Sequence, residues 1–289
     1  MITTTQKKRI VKEIKDRLKH FDSQSQMAKT LGIAPAQMTR LLKGQMKQVL
    51  SDENFLRVAN ELGVDLKGFN WQTARTPTFK SIYAQLNVCQ EQSISAMLID
   101  DAGVGKTHTA KIYAKEHSNA VYIDCSQVKS KQLLIREIAR KLGIRNKGRY
   151  ADVYKDLVFY LNTSDTPLII LDEAGDLAYP AFLELKALWN ASEALTGWYM
   201  MGADGLRAKV ERNINNRKVG YVEIFRRFGE RFQNITPQGK EERNEFKRRQ
   251  LALVAKANGL TEIQRLYAKT NGSLTRLKIE FLKLKRKQA

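Results

Sequence analysis

The stretch from Met97 to Thr107, MLIDDAGVGKT, constrains this chain more than any other. Ser95-Ala96-Met97-Leu98-Ile99 reads as a buried strand, Asp100 to Gly105 as a tight loop, and Lys106-Thr107-His108-Thr109-Ala110 as the opening of a helix. Glycines in such a loop let consecutive backbone N–H groups curl around phosphate oxygens, and the helix behind presents its positive end to them. The pattern G-x-x-x-x-G-K-[ST] describes that geometry; Gly105, Lys106 and Thr107 satisfy it, and Gly103 adds flexibility. The first glycine position holds Asp100. Aspartate tolerates left-handed backbone better than most residues, so Asp100 is expected to ease the strand-to-loop turn. The expected phosphate-binding residues are therefore Gly103, Val104, Gly105, Lys106, Thr107 and His108.

A Gly-Lys-Thr that merely opens a helix is the plainer reading, and a second motif about sixty-five residues on argues against it. Leu168-Ile169-Ile170-Leu171 is a continuous apolar run ending in Asp172 and Glu173. A buried strand with acids at its C-terminal edge is where a nucleotide enzyme needs its metal ligand. Asp172, together with the Thr107 hydroxyl, is the expected Mg²⁺ site, and Glu173 is the expected general base that polarises the attacking water. ATP and Mg²⁺ are the implied cofactors.

Between and around these motifs the pattern alternates. A helix is expected over 79–88, a second strand over 120–125, helices over 130–143 and 150–161, a helix over 181–194 and an apolar strand over 198–202. Such alternation implies an α/β fold with a parallel sheet covered on both faces. From Gly239 three helical patterns follow without strands, over 241–257, 261–270 and 273–287, and read as a helical lid.

The 289 residues carry a formal charge of +20. A soluble chain this basic usually meets a polyanion, with nucleic acid the first expectation, a merely solvated basic surface the second and anionic membrane the third. After Gly205, Lys and Arg outnumber acids by roughly three to one. No run approaches the roughly 18 apolar residues of a membrane span, and MITTTQKKRI lacks the apolar core of a secretion signal, so a cytoplasmic location is expected. Cys89 and Cys125, the only cysteines, have no metal-ligand spacing and indicate neither a disulfide framework nor a zinc site.

At the N-terminus, Ile10, Ile14 and Leu18 share one helical face, and two short helices meet at Gly32, with Pro35 in the first turn of the second. Residues 24–66 resemble the helix-turn-helix of lambda repressor and Cro. That resemblance implies a helix from Pro35 to Leu42 in the major groove, offering Ala36, Gln37, Thr39 and Arg40 to bases or phosphates. Gly68 to Thr78 lacks a period and marks a boundary, where Trp71 either anchors on the next domain or completes the first core. The expected domains are 1–68, a linker 69–78, an α/β core 79–238 and a lid 239–289.

An α/β core followed by a helical lid resembles the AAA+ ATPases. The phrases Gly105-Lys106-Thr107-His108 and Asp172-Glu173-Ala174-Gly175-Asp176-Leu177 are similar to the transposition branch that holds Mu B, TnsC and IstB. The resemblance implies a sensor at Asp204, an arginine finger at Arg226 or Arg227, and a second sensor at Arg276 in the lid. It also implies ATP-dependent assembly into a filament or ring on double-stranded DNA, held through basic loops with Lys129, Lys131, Arg145, Lys147 and Arg149, and delivery of that DNA to a transposase. A helicase loader resembling DnaC and a sequence-specific repressor with a regulatory nucleotide domain remain as alternatives.

Overall fold

A computed structural model describes residues 2–288, with side chains through Arg286. Met1 and Ala289, the outer ends of the first and last expected domains, and the Lys287 side chain of the basic tail lie outside the described residues.

Four helices come first: α1 (Thr4–Leu18), α2 (Gln24–Leu31), α3 (Pro35–Leu42) and α4 (Asp52–Leu62). Their apolar faces close one core around Ile10, Ile14, Met27, Met38, Leu41 and Phe55. Ser23 caps α2 through its hydroxyl, and Gly32 ends it at φ +63°, the left-handed conformation that turns the chain into α3. Arg57 of α4 fastens that turn by donating to the carbonyls of Leu31 (2.8 Å) and Gly32 (2.9 Å).

The α/β unit runs α5 (Pro77–Glu91), β1 (Ser95–Ile99), α6 (Lys106–Glu116), β2 (Ala120–Asp124), α7 (Lys131–Lys141), α8 (Tyr150–Thr163), β3 (Leu168–Asp172), α9 (Tyr179–Ala191), β4 (Gly197–Gly202), α10 (Asp204–Asn215) and α11 (Tyr221–Arg227). The four strands are parallel in the order β1-β4-β3-β2. β3 and β4 are central and buried at every position, as a strand covered on both faces must be. The chain returns beside β1 at Gln233, which exchanges backbone hydrogen bonds with Ile99 (2.8 Å) and Met97 (2.9 Å).

Three lid helices follow, α12 (Lys240–Ala257), α13 (Ile263–Thr270) and α14 (Leu274–Gln288). Trp71 and Ala74 pack into their core with Leu251, Val254 and Leu277, and Trp71 meets Phe281 edge-on at 5.1 Å. Trp71 therefore neither finishes the first core nor rests on the sheet; the segment around it is clasped by the lid. Gln72 and Asn258 exchange two hydrogen bonds (2.8 and 3.0 Å), and the Thr78 N–H donates to the buried Gln250 side chain.

The N-terminal helices dock on the sheet unit through α2. Gln26 donates to the Leu142 carbonyl and the Tyr160 hydroxyl, each at 3.0 Å, and Arg140 donates to the Thr30 carbonyl at 2.8 Å. Glu61 is held between Arg140 and Lys141. Gly143 makes the approach possible: a Cβ there would lie 2.6 Å from the Gln26 carbonyl oxygen.

Candidate active site

β1 and β3 flank β4 and, being parallel, end on the same edge of the sheet, so the loops that follow them meet there. The 100–107 loop leaves β1 there. Gly103 and Gly105 have φ of +77° and +106°, values that only glycine adopts at little cost, and α6 begins at once. Among the described residues, no protein group accepts from the backbone N–H groups of Gly103 through Thr107. Consecutive free donors at the start of a helix form an anion cradle, so the loop fits a polyphosphate.

Lys106 is buried, and its ammonium donates to the Asp100 (2.6 Å) and Asp101 (2.8 Å) carbonyls. Burial lowers its pKa, opposed first by Asp100 and then by Asp172 and Glu173. The Thr107 hydroxyl donates to Asp172 Oδ2 at 2.6 Å, which brings the two sequence motifs into one site. Tyr122 on β2 donates to the same oxygen at 2.8 Å. Asp172 Oδ1 accepts from the Glu173 N–H at 3.0 Å. The buried Asp172 carboxylate is thus oriented by two hydroxyls and one amide. Sequence reasoning missed Tyr122, since a single tyrosine in a strand carries no motif.

Glu173 sits just past β3 at φ +50°, a left-handed conformation unusual for glutamate that turns its side chain away from the sheet into solvent. Partial desolvation of its carboxyl, reinforced by Asp172 and opposed by Lys106, raises its pKa from 4.5. The turn that follows is fixed from α10: Lys209 donates to the carbonyls of Gly175 and Leu177. A carboxylate with a raised pKa at a strand edge beside a metal-type carboxylate can accept a proton from water.

Asp100 does not ease the turn in the way its residue type suggests. It is not among the residues with positive φ, so it does not replace glycine by conformation. Its carboxylate instead accepts from the N–H groups of Asp101 (2.7 Å), Ile235 (2.9 Å) and Thr236 (3.0 Å), pinning the chain beyond Gln233 to the loop. Gly103 likewise serves more than flexibility. The lid lies against it, with the Leu274 N–H donating to the Gly103 carbonyl at 2.9 Å, and a Cβ on Gly103 would fall 2.6 Å from Ser273 Oγ. Asp101 completes the lid contact through ion pairs with Arg243 and Lys247 of α12.

The remaining sequence-derived residues fall around this centre. His108 shares a hydrogen bond with Thr73 at 3.0 Å, and its pKa is lowered by burial, then by Lys278 and Lys111. Asp204 is exposed in the first turn of α10, directly after β4. Arg276 is exposed in the first turn of α14, three residues after Ser273, which touches Gly103. Arg226 is exposed and pairs with Glu230 at 3.1 Å; Arg227 stacks its guanidinium over Trp189 at 4.5 Å. Lys129 and Lys131 flank the start of α7, while Arg145, Lys147 and Arg149 follow its end in a loop that Arg136 ties back to α7 through Asn146 (2.8 Å) and Gly148 (2.9 Å). Lys129 faces Asp176 at 3.5 Å, Arg145 binds Asp156 at 2.8 Å and Lys131 lies over the Tyr150 ring, whereas Lys147 and Arg149 are exposed. On α3, Gln37 is engaged internally: its oxygen accepts from the Ala34 N–H (3.0 Å) and its amide donates to Val49 (2.9 Å). Thr39 accepts from Gln24 at 2.6 Å, and exposed Arg40 donates to Gln45 at 3.1 Å.

The chain is similar to several known proteins. Residues 90–210, from the end of α5 into α10, match the AAA domain family. Over 198 residues the chain is 26% identical to the Mu-like prophage FluMu DNA transposition protein B of Haemophilus influenzae, covering 67% of this chain and 68% of that protein. Over 162 residues it is 26% identical to the ATP-dependent target DNA activator B of Escherichia phage D108, covering 54% of this chain and 49% of that one, so the match spans about half of the phage protein. The solved Aeropyrum pernix ORC2 protein, in ADPNP and ADP complexes, superposes with a TM-score of 0.48 at 17% identity, covering 68% of this chain and 56% of that one.

Proposed function

From its similarity to the AAA domain family and to phage transposition B proteins, we propose that this chain is a Mg²⁺-dependent ATPase acting on duplex DNA. It binds DNA largely without regard to sequence, assembles on it as a filament or ring, and directs target selection by activating or recruiting a transposase. The observation that carries the ATPase reading is the 2.6 Å hydrogen bond from Thr107 to Asp172, which unites the cradle and the carboxylate edge.

In this reading the loop from Gly103 to Thr107 binds the phosphates. Lys106 turns from two neutral carbonyls to phosphate oxygens without breaking an ion pair. Thr107 and Asp172 are the residues that would hold Mg²⁺, which supplies charge neutralisation to the phosphates when bound. Glu173 takes the proton of the attacking water. Arg276 reports the nucleotide to the lid, Asp204 contacts the distal phosphate or the attacking water, and Arg226 or Arg227 serves the site of a neighbouring copy. The exposure of Arg226 favours it for reaching across. Lys129, Lys131, Arg145, Lys147 and Arg149 contact DNA phosphates as a group. The internal engagement of Gln37 weighs against a repressor that reads bases through α3.

We divide the chain as residues 1–68, 79–238 and 239–289, with 69–78 moving with the lid that clasps Trp71. The test of the nucleotide site is Lys106→Ala. It is expected to weaken binding of a fluorescent ATP analogue by at least about tenfold, roughly 1.4 kcal/mol. Unchanged affinity would remove the cradle assignment.

A further inference from the structure

A cleft of about 1300 Å³ opens between the N-terminal helices, the outer face of α6, the edge strand β2 and α14. Among the described residues, none from Asp100 to Thr107 lines it, and the cleft meets the phosphate cradle only at the next residue, His108. All three histidines of the chain, His20, His108 and His117, border it.

Positive charge gathers at two places on its wall. Lys278 and Lys111 both act on His108 and, after burial, hold its pKa below the ordinary value. At the other end His20 is held down by burial, then by Arg17, His117 and Lys19, against the opposing Glu116. Lys111 and Lys278 form no ion pair among the described residues; they lie instead over the rings of Tyr122 (5.0 Å) and Trp71 (6.0 Å). The wall also carries four carboxylates: Glu53, Glu61, which is matched by Arg140 and Lys141, and Asp65 and Asp124, which accept hydrogen bonds from their own loops. Lysine and arginine outnumber carboxylates on the wall by eight to four; an excess of like charge costs stability, and a bound anion offsets it.

The second feature is aromatic. Phe21, Phe69, Trp71 and Tyr122 line the same cleft and are only half-buried. Cations interleaved with partly open rings are what a flexible polyanion with flat bases requires: phosphates meet the charges, and bases stack on the rings. A lipid or a simple polyphosphate would leave the rings unused, and a closed duplex offers no base faces to them. The volume admits on the order of four nucleotides.

We propose that this cleft binds a short single-stranded segment of nucleic acid, with phosphates at Lys111, Lys278 and Arg286 and bases stacked on Trp71 and Tyr122. Tyr122 also donates to Asp172, so a strand stacked there touches the residue that orients the metal-side carboxylate. The inference does not depend on the role in transposition.

The test uses the full chain and 5′-fluorescein hexathymidylate at fixed salt, followed by anisotropy, with unlabelled hexathymidylate followed by tryptophan emission. Trp198 is fully buried and Trp189 lies under Arg227, which leaves Trp71 as the reporter at the cleft. Expected are binding, quenching that vanishes in Trp71→Phe, and at least a tenfold weakening in the Lys111→Glu/Lys278→Glu double variant with an unchanged thermal melt. Equal binding by the double variant, quenching that persists in Trp71→Phe, or displacement of the oligonucleotide by ATP alone would each overturn the proposal. So would a double variant that fails to bind only because its melt has collapsed while the single variant Arg286→Glu binds like the parent.

Discussion

Asp172 accepts from Thr107, Tyr122 and the Glu173 amide at once, so its carboxylate has little freedom, while Glu173 beside it is exposed. That contrast assigns different work to two adjacent acids. Glu173→Gln keeps the fold and ATP binding but removes the proton acceptor, and is expected to slow steady-state hydrolysis about 10²–10⁴-fold; normal turnover would exclude Glu173 as the base. Its raised pKa sets the acid limb of the rate profile: the active carboxylate is present above its pKa, so hydrolysis falls on acidification at a pH above 4.5. Asp100 makes an opposite kind of prediction. Asp100→Gly makes the loop conform to the usual motif yet removes acceptors for Ile235 and Thr236. It is expected to lower stability in denaturant unfolding by about 2–3 kcal/mol, and an increase would show that the aspartate serves the turn after all. The motif residues Lys106, Thr107 and Asp172 were legible because phosphate and metal chemistry fix both residue type and spacing. Tyr122 and the Asp101 partners Arg243 and Lys247 were not, because the contacts join positions far apart in sequence with no pattern between them.

At the level of elements, β1 and β3 were readable to the residue, since a strand buried on both faces is written as an unbroken apolar run. α10 and α11 were not seen. α10 buries only Leu206, Val210 and Asn213 in a charge-rich stretch, and α11 has seven residues, too short for a period to emerge. The return of the chain at Gln233 is a single bridge and leaves no strand signature. The docking of α2 was equally hidden, because it rests on Gln26, Thr30 and Glu61, polar residues that the sequence pattern assigns to solvent. Burial pushes the Glu61 carboxyl up, but Lys141 and Arg140 outweigh it and leave the pKa below 4.5. The contribution of the ionised group is therefore complete above about pH 4.5 and is lost as pH falls through the lower folded value. Glu61→Gln is expected to weaken the docking by about 1–3 kcal/mol at pH 7, read as faster amide exchange across 24–31. Protection unchanged by the substitution would mean that Gln26 and Arg140 hold the unit without it.

For the whole molecule, the lid is joined to the cradle by Leu274 and Asp101, and to the segment before α5 by Trp71, Gln72 and Thr78. That segment leads directly to the N-terminal helices. Movement of the lid would therefore reach both the 100–107 loop and, through that segment, α1 to α4. No described helix is long and apolar enough to cross a membrane, and the formal charge of +20 makes a polyanion the expected partner. Contacts made to phosphates alone give binding that falls steeply with salt, by about 0.9 in log–log slope per phosphate neutralised. The central claim is that ATP switches on sequence-independent duplex binding. The most direct measurement is fluorescence anisotropy of a random-sequence duplex titrated with the full chain under ATP, ADP and no nucleotide, at fixed salt. Tight binding with ATP alone is the expected result, and equal binding in all three conditions would contradict it.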